Sequence, residues 1–304
     1  RVFAEAETVL SGIKVAAIII FIALGTAAII GLLPYEGHRS FLGLTNLYRD
    51  GLFPNGFGAV FTTILAVNFA FSGTELIGIT AGEVEDPGTT VPRAIRATLA
   101  RLAIFFIGSI IVIAALIPWE KAGVEESPFV TVLSRIGVPY AGVLMNIVIL
   151  AAILSAANSG LYASTRMLHS MALQGQAPTW FAYVNRHGVP VRALGATALV
   201  GAAGFLTAVV GQDTAYTWLL NVSALCGFIV WLGIAACHFR FRRAYVLQGN
   251  DPADLPYQAP WFPLGPVLAF TLCALVILGQ NYEAVFKGQL LEVLSSYIGL
   301  PLFG

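Results

Sequence analysis

The sequence predicts an all-α, polytopic membrane protein, and three observations carry that expectation. The 304 residues are 58% hydrophobic and only 11% charged, with a mean hydropathy of +0.82. Several apolar runs exceed the roughly 20 residues that span about 30 Å of hydrocarbon. One of these runs, Asn68 to Glu83 (NFAFSGTELIGITAGE), places a glutamate, glycines and hydroxyl side chains at membrane depth. Hydrocarbon offers no partner for a free amide, so chains that cross it do so as helices or closed barrels. Runs of this length predict helices.

Seven spans can be drawn, at about Glu5–Leu33, Phe57–Gly82, Arg96–Ile117, Ala141–Met171, Arg192–Val210, Tyr216–His238 and Pro263–Gln280, with an eighth beginning near Leu290. Prolines at 34, 54, 118, 139 and 190 punctuate their ends. Between spans, Ser127–Ile136 is apolar enough for a short helix lying over the membrane surface. With no starting Met and a final hydrophobic segment cut short, residues 1–304 read as a single but partial transmembrane domain from a longer protein.

Basic residues orient the spans. If Arg1 is cytoplasmic, the inner ends and loops hold Arg1, Arg93, Arg96, Arg101, Arg166, Arg186, Arg192, Arg240, Arg242 and Arg243. The outer side holds Arg39, Arg49, Lys121, Arg135 and Lys287, and Lys14 is left inside a span. This excess predicts a cytoplasmic N-terminal end under the positive-inside rule. Trp119, Trp218 and Trp261 fall at the expected interfaces. The basic run His238–Arg243 reads as a topology anchor.

Composition also excludes function classes. The formal net charge is zero, which gives no reason to expect nucleic-acid binding. Cys226, Cys237 and Cys273 lie in apolar spans without CxxC spacing and read as packing residues. The four histidines form no metal or catalytic arrangement with cysteines or acids. An intramembrane enzyme would need such a constellation. A membrane receptor that binds an amino acid without moving it would need an output domain, which these residues do not supply.

The polar residues inside the spans are the candidate functional groups. Ionised Glu75 would cost several kcal/mol in lipid without a cavity or partner. Ser72, Gly73 and Thr74 precede it, and glycine beside hydroxyls permits a helix to break around a cavity. A broken helix carrying an acid at mid-membrane is the pattern of a transporter binding site. Neutral interhelical glue is the bland alternative for Glu75. Glu83, near the inner end of the same span, reads equally as a structural carboxylate or a gate, while Gly78 and Gly82 favour close helix packing.

Lys14 lies nine residues past Glu5, about 13 Å along a helix. It either snorkels to the headgroups or stands between helices as a cation able to release its proton, since desolvation disfavours an ammonium. On Ala141–Met171, Ser155, Asn158, Ser159 and Tyr162 recur at three- and four-residue spacing and share one face. Ser155 and Ser159 suit helix–helix hydrogen bonding as well as gating or ligand contact. Asn158, a full amide at mid-span, favours a cavity.

These motifs, in this order, resemble the amino acid–polyamine–organocation superfamily, and within it the bacterial amino acid permeases. FSGTELIGITAGEVEDP with VPRAIR (Val91–Arg96) is similar to that family's sixth helix and the loop after it, and ILSAANSGLYASTRML (Ile153–Leu168) to its eighth. IKV at Ile13–Val15 is similar to the fifth, lysine included. HFRFRRAYVLQGNDPADLPY (His238–Tyr257), FPLGP (Phe262–Pro266) and GQNYEA (Gly279–Ala284) resemble lysine-specific permeases. ESPFVTVLSRIGVPYA (Glu126–Ala141) resembles S-methylmethionine permeases, and the outer loop carries Glu125–Glu126 where lysine permeases are expected to carry paired aspartates.

The resemblance covers essentially the whole chain and implies a leucine-transporter-like inverted-repeat fold. By it the chain holds helix five, the second repeat with its broken sixth helix, helix eleven and the start of twelve. It implies proton symport of an amino acid across the bacterial inner membrane, without a cofactor, by a monomer or homodimer. The expected substrate is cationic, lysine before S-methylmethionine. Phe71 through Thr74 would offer unwound carbonyls to the substrate amino group, with Phe71 as an apolar wall. Glu75 would anchor the broken helix or act on a cationic side chain. Lys14 would stand where sodium-coupled relatives hold a cation.

Overall fold

A computed structural model describes residues 2–51, 53–80, 84–122, 126–206 and 212–279, with Gly288 and Tyr297. Apart from one bridge between Tyr35 and His38, the regular elements among them are helical. The principal helices are α1 (Val2–Ile29), α2 (Thr45–Tyr48), α3 (Gly56–Phe71), α4 (Leu76–Thr80), α5 (Pro87–Leu102) and α6 (Gly108–Leu116). They continue with α7 (Pro128–Ile136), α8 (Ala141–Leu173), α9 (Val191–Ala202), α10 (Gln212–Leu247) and α11 (Leu264–Gly279).

Among the described residues, four stretches are long and apolar enough to cross a membrane: Glu7–Ile29, Pro87–Leu116, Ala141–Leu173 and Val222–Leu247. The shorter α9 and α11 are also apolar. Two expected boundaries differ. The third span begins as helix at Pro87, not near Arg96, because Pro87 occupies the first helical turn, where a missing N–H costs nothing. The sixth continues nine residues past His238 to Leu247, carrying its arginines on regular helix. The eighth expected span, apart from Tyr297, lies outside the described residues.

The chain divides into two compact units, residues 1–54 with 95–199 and residues 55–94 with 200–304. In the first, α1 packs against α6, α7 and α8. Their shared core includes Phe21, Val112, Leu116, Ile117, Val132 and Leu133, and the Phe21 and Phe129 rings meet at 4.6 Å. Gly25 lets α1 and α6 approach closely, since a Cβ there would stand 2.2 Å from Val112 Cγ1. Small residues at such crossings are the usual device of membrane helix packing.

The end of α6 shows how unpaired carbonyls are satisfied. A helix leaves its last carbonyls without intrahelical donors. Here Tyr35 Oη donates to Leu116 O at 2.7 Å, and Asn46 Nδ2 donates to Ala115 O at 2.8 Å. Arg135 Nη1 reaches Tyr35 Oη at 3.4 Å and pairs with Glu36 at 3.0 Å. Upstream, a π-helical turn at Ala103–Ile107 joins α5 to α6, and Ser109 donates to the Phe105 and Phe106 carbonyls.

In the second unit, α10 packs along α11 and α3. Phe228, Cys273 and Val276 form the buried centre, with Ile64, Trp231 and Ile277 against them.

Candidate functional site

In the first unit, the polar groups gather where the N-terminal half of α1 meets α8. Glu7, Leu10, Ser11, Lys14, Val15 and Ile18 recur at three- and four-residue steps and are all half-buried, so one stripe of α1 faces the bundle. Lys14 bonds across to the neighbouring helix. Its Nζ donates to Ser155 Oγ on α8 at 2.6 Å.

Ser155 is fully buried and donates in turn to Glu7 Oε1 at 2.5 Å. Ser11 donates to the same oxygen at 3.0 Å. Lys14 Nζ and Glu7 Oε1 are 3.9 Å apart, close enough to attract but bridged by the serine rather than in direct hydrogen bond. Asn158, three residues along α8, interacts more weakly with the Glu7 carboxylate. Oε2 is nonetheless buried without a hydrogen-bond partner among the described residues.

A cavity of about 540 Å³ opens beside Lys14, lined also by Thr98, Arg101, Phe105, Phe106 and Ser109. The π-helical turn thus borders it, and such turns recur at functional sites. Ser159 lies half-buried on the same face of α8 as Ser155 and Asn158.

The second unit holds the interrupted helix. α3 ends at Phe71, residues Ser72–Glu75 form turns, and α4 begins at Leu76. Gly73 adopts φ +94°, left-handed backbone that glycine enters without the penalty an L side chain meets. Both carboxylate oxygens of Glu75 accept from the Gly73 amide at 3.1 Å. Oε2 also accepts from Trp231 Nε1 on α10 at 3.3 Å. The acid therefore ties the turn to itself and to a neighbouring helix, favouring the anchoring alternative for Glu75.

Phe71, Gly73 and Thr74 are half-buried and Ser72 is exposed. Glu83 lies outside the described residues. Cys226, Cys237 and Cys273 are unpaired thiols, and no cluster of histidine, cysteine and acidic residues suited to a metal occurs among the described residues.

Sequence reasoning missed Glu7, Ser11 and Trp231. The first two had a legible signal, because Glu7, Ser11 and Lys14 are spaced four and three residues apart and so share a helix face. Trp231 had none, since nothing local marks an indole 156 residues from its acceptor.

Apolar spans, a helix interrupted at a glycine–acid turn and an ion pair set between helices together define a polytopic membrane protein of the transporter class. The chain belongs to the amino acid permease family, whose model matches residues 1–304. It is 46% identical over 314 residues to the lysine-specific permease LysP of Escherichia coli (strain K12), covering 100% of this chain and 64% of that protein. Identity to the amino-acid permease RocE of Bacillus subtilis (strain 168) is 46% over 301 residues, covering 99% and 63%. To the histidine permease HisP of Lactococcus lactis it is 39% over 308 residues, covering 99% and 64%. The chain thus spans a little under two thirds of the length of these relatives.

Proposed function

We propose that the protein imports an amino acid with a cationic side chain by proton symport across the bacterial cytoplasmic membrane, with the N-terminal end of α1 on the cytoplasmic side. The observation that supports this most directly is Lys14, a cation within a membrane-spanning helix and bonded across to α8. Loss of its proton there would favour a different packing of α1 on α8, because the ammonium requires partners that the neutral amine does not.

The interrupted helix supplies the other half of the mechanism. At Ser72–Glu75 the backbone leaves the helical path, and an irregular main chain of this kind is where a substrate's α-amino acid group would be met, although the Gly73 amide is held by Glu75 and the Gly73 carbonyl by Leu76 N. Phe71 borders the turn. Glu75 holds the turn in place through the Gly73 amide and Trp231. Relatives named as lysine and histidine permeases support the cationic preference. The alternative substrate is S-methylmethionine, which shares the α-amino acid group and a positive side-chain end.

The test is uptake of labelled lysine by the full-length protein in liposomes, driven by a pH gradient, in wild type and Lys14→Ala. Gradient-driven accumulation by wild type, lost in the variant by about tenfold (about 1.4 kcal/mol), is the expected outcome. Accumulation by the alanine variant equal to wild type, or a sodium requirement in wild type, refutes the reading.

A further inference from the structure

The proton that Lys14 releases needs somewhere to go, and α1 carries an acid already joined to it. Glu7 lies seven residues before Lys14 on α1, about 10.5 Å along the helix axis. The hydrogen bonds between them run in one direction. Lys14 Nζ donates to Ser155 Oγ, and Ser155 Oγ donates to Glu7 Oε1. The serine is fully buried, so solvent does not compete for its hydroxyl.

We propose that Glu7 is the acceptor for the Lys14 proton, reached through the Ser155 hydroxyl, and that it passes the proton on toward the face taken above as cytoplasmic. This rests on the symport reading above and names the proton's route within it. In the transfer, an N–H bond of the Lys14 ammonium breaks as a bond forms from that hydrogen to Ser155 Oγ. The hydroxyl's own proton moves to Glu7 Oε1. The products are a neutral amine, a regenerated serine hydroxyl and a carboxylic acid, with total charge unchanged. Glu7 then yields the proton to water at the face, and the carboxylate is restored.

The pair is arranged as a relay rather than as a closed ion pair. Lys14 Nζ and Glu7 Oε1 stand 3.9 Å apart with the Ser155 hydroxyl between them. Glu7 Oε2 is buried and has no hydrogen-bond partner among the described residues, so the carboxylate is not fully satisfied as an anion. Arg101 of α5 lines the same cavity as Lys14. Among the described residues, the other elements facing the pair present Ser155 and Asn158 from α8, Ser109 from α6 and Phe129 from α7.

A purely structural role for Glu7 predicts different behaviour from a proton-accepting one, and two transport modes separate them. Gradient-driven accumulation requires net proton movement, whereas counterflow exchange of labelled for unlabelled substrate at equal pH does not. The full-length protein is reconstituted in liposomes and tested with labelled lysine or histidine, whichever wild type accumulates. Glu7→Gln keeps the side chain's shape and a carbonyl acceptor for Ser155 but cannot take the proton. It is expected to lose accumulation by about tenfold while counterflow falls by no more than about twofold. Ser155→Ala, which leaves both ionisable groups in place but removes the bridge, is expected to show the same split. Glu7→Asp, an acid one carbon shorter, is expected to restore part of the accumulation.

Accumulation by Glu7→Gln within about twofold of wild type overturns the proposal. So does a parallel loss of accumulation and counterflow in both Glu7→Gln and Ser155→Ala, which assigns the cluster to packing. Either result leaves symport standing if wild type responds to the pH gradient. A wild type that ignores the gradient refutes the symport reading itself, and this route with it.

Discussion

Gly25→Ala adds one methyl group where α1 crosses α6. An ordinary carbon–carbon contact is about 3.5 Å, and the new Cβ would begin 2.2 Å from Val112 Cγ1 and 3.3 Å from Val112 Cβ and Cγ2. Val112 is 2% exposed and, as a β-branched residue on a helix, has essentially one rotamer available. The strain must therefore be relieved by shifting one helix by more than about 1 Å, at the costly end of the roughly 1–3 kcal/mol range for overpacking. The better helix propensity of alanine returns about 1 kcal/mol. The net expectation is a loss of about 2 kcal/mol, or about 3 °C in the midpoint of thermal unfolding for a chain of this size.

Val112→Ala alone should cost about 1.6 kcal/mol for two buried carbons. In the double variant the clash is gone, so it should be more stable than Gly25→Ala and fall within about 1 kcal/mol of wild type, a strong coupling between neighbours. Thermal unfolding of the four proteins in detergent, followed by fluorescence-detected gel filtration, measures all three differences. Gly25→Ala as stable as wild type, or strictly additive effects in the double variant, would refute the close crossing.

At Gly73 the obstacle is the backbone, because a Cβ there would meet only Leu76 Cδ1 at 3.9 Å. Gly73→Ala is expected to cost about 1–2 kcal/mol through its left-handed conformation and to abolish substrate binding with far less effect on expression; binding equal to wild type by scintillation proximity would sink this. Glu75→Gln keeps one carbonyl acceptor but cannot serve Gly73 and Trp231 as the carboxylate does, so uptake of cationic and neutral amino acids should fall in parallel. A loss confined to cationic substrates in competition assays would instead make Glu75 the side-chain partner. Burial pushes the Tyr35 phenol above its ordinary value, with the Arg135 hydrogen bond and charge opposing in part. Its contribution to stability is full below the unfolded phenol's value of about 10 and is lost as pH rises beyond it. Tyr35→Phe should flatten that alkaline decline and leave the Leu116 carbonyl unpaired, at a cost of about 1–3 kcal/mol read from unfolding midpoints across pH.

Much of the fold was legible in the sequence because lipid imposes a local requirement. Any run that crosses it must satisfy its own backbone, so length and hydropathy suffice to mark α1, α8 and the apolar stretches between them. Ser72–Glu75 was legible for the same reason, since a glycine, two hydroxyls and an acid cannot continue an ordinary lipid-facing helix. The short helix at Pro128–Ile136 followed from its apolar content between a proline and a glycine.

What only the tertiary structure decided are the partners. Lys14 could have snorkelled along its own helix, and its choice of Ser155 across 141 residues of chain depends on how α1 packs on α8. That packing depends in turn on Phe21, Gly25 and Val112 fitting together. Glu75 read first as a group near the substrate, and its hydrogen bond from Trp231, 156 residues away, came only with the fold. Glu7, which sequence reasoning missed, is joined to the lysine only through a buried serine of another helix. Hydropathy is a property of each residue and can be summed along the chain. A hydrogen bond between helices depends on distance and direction, and neither exists until the helices are packed.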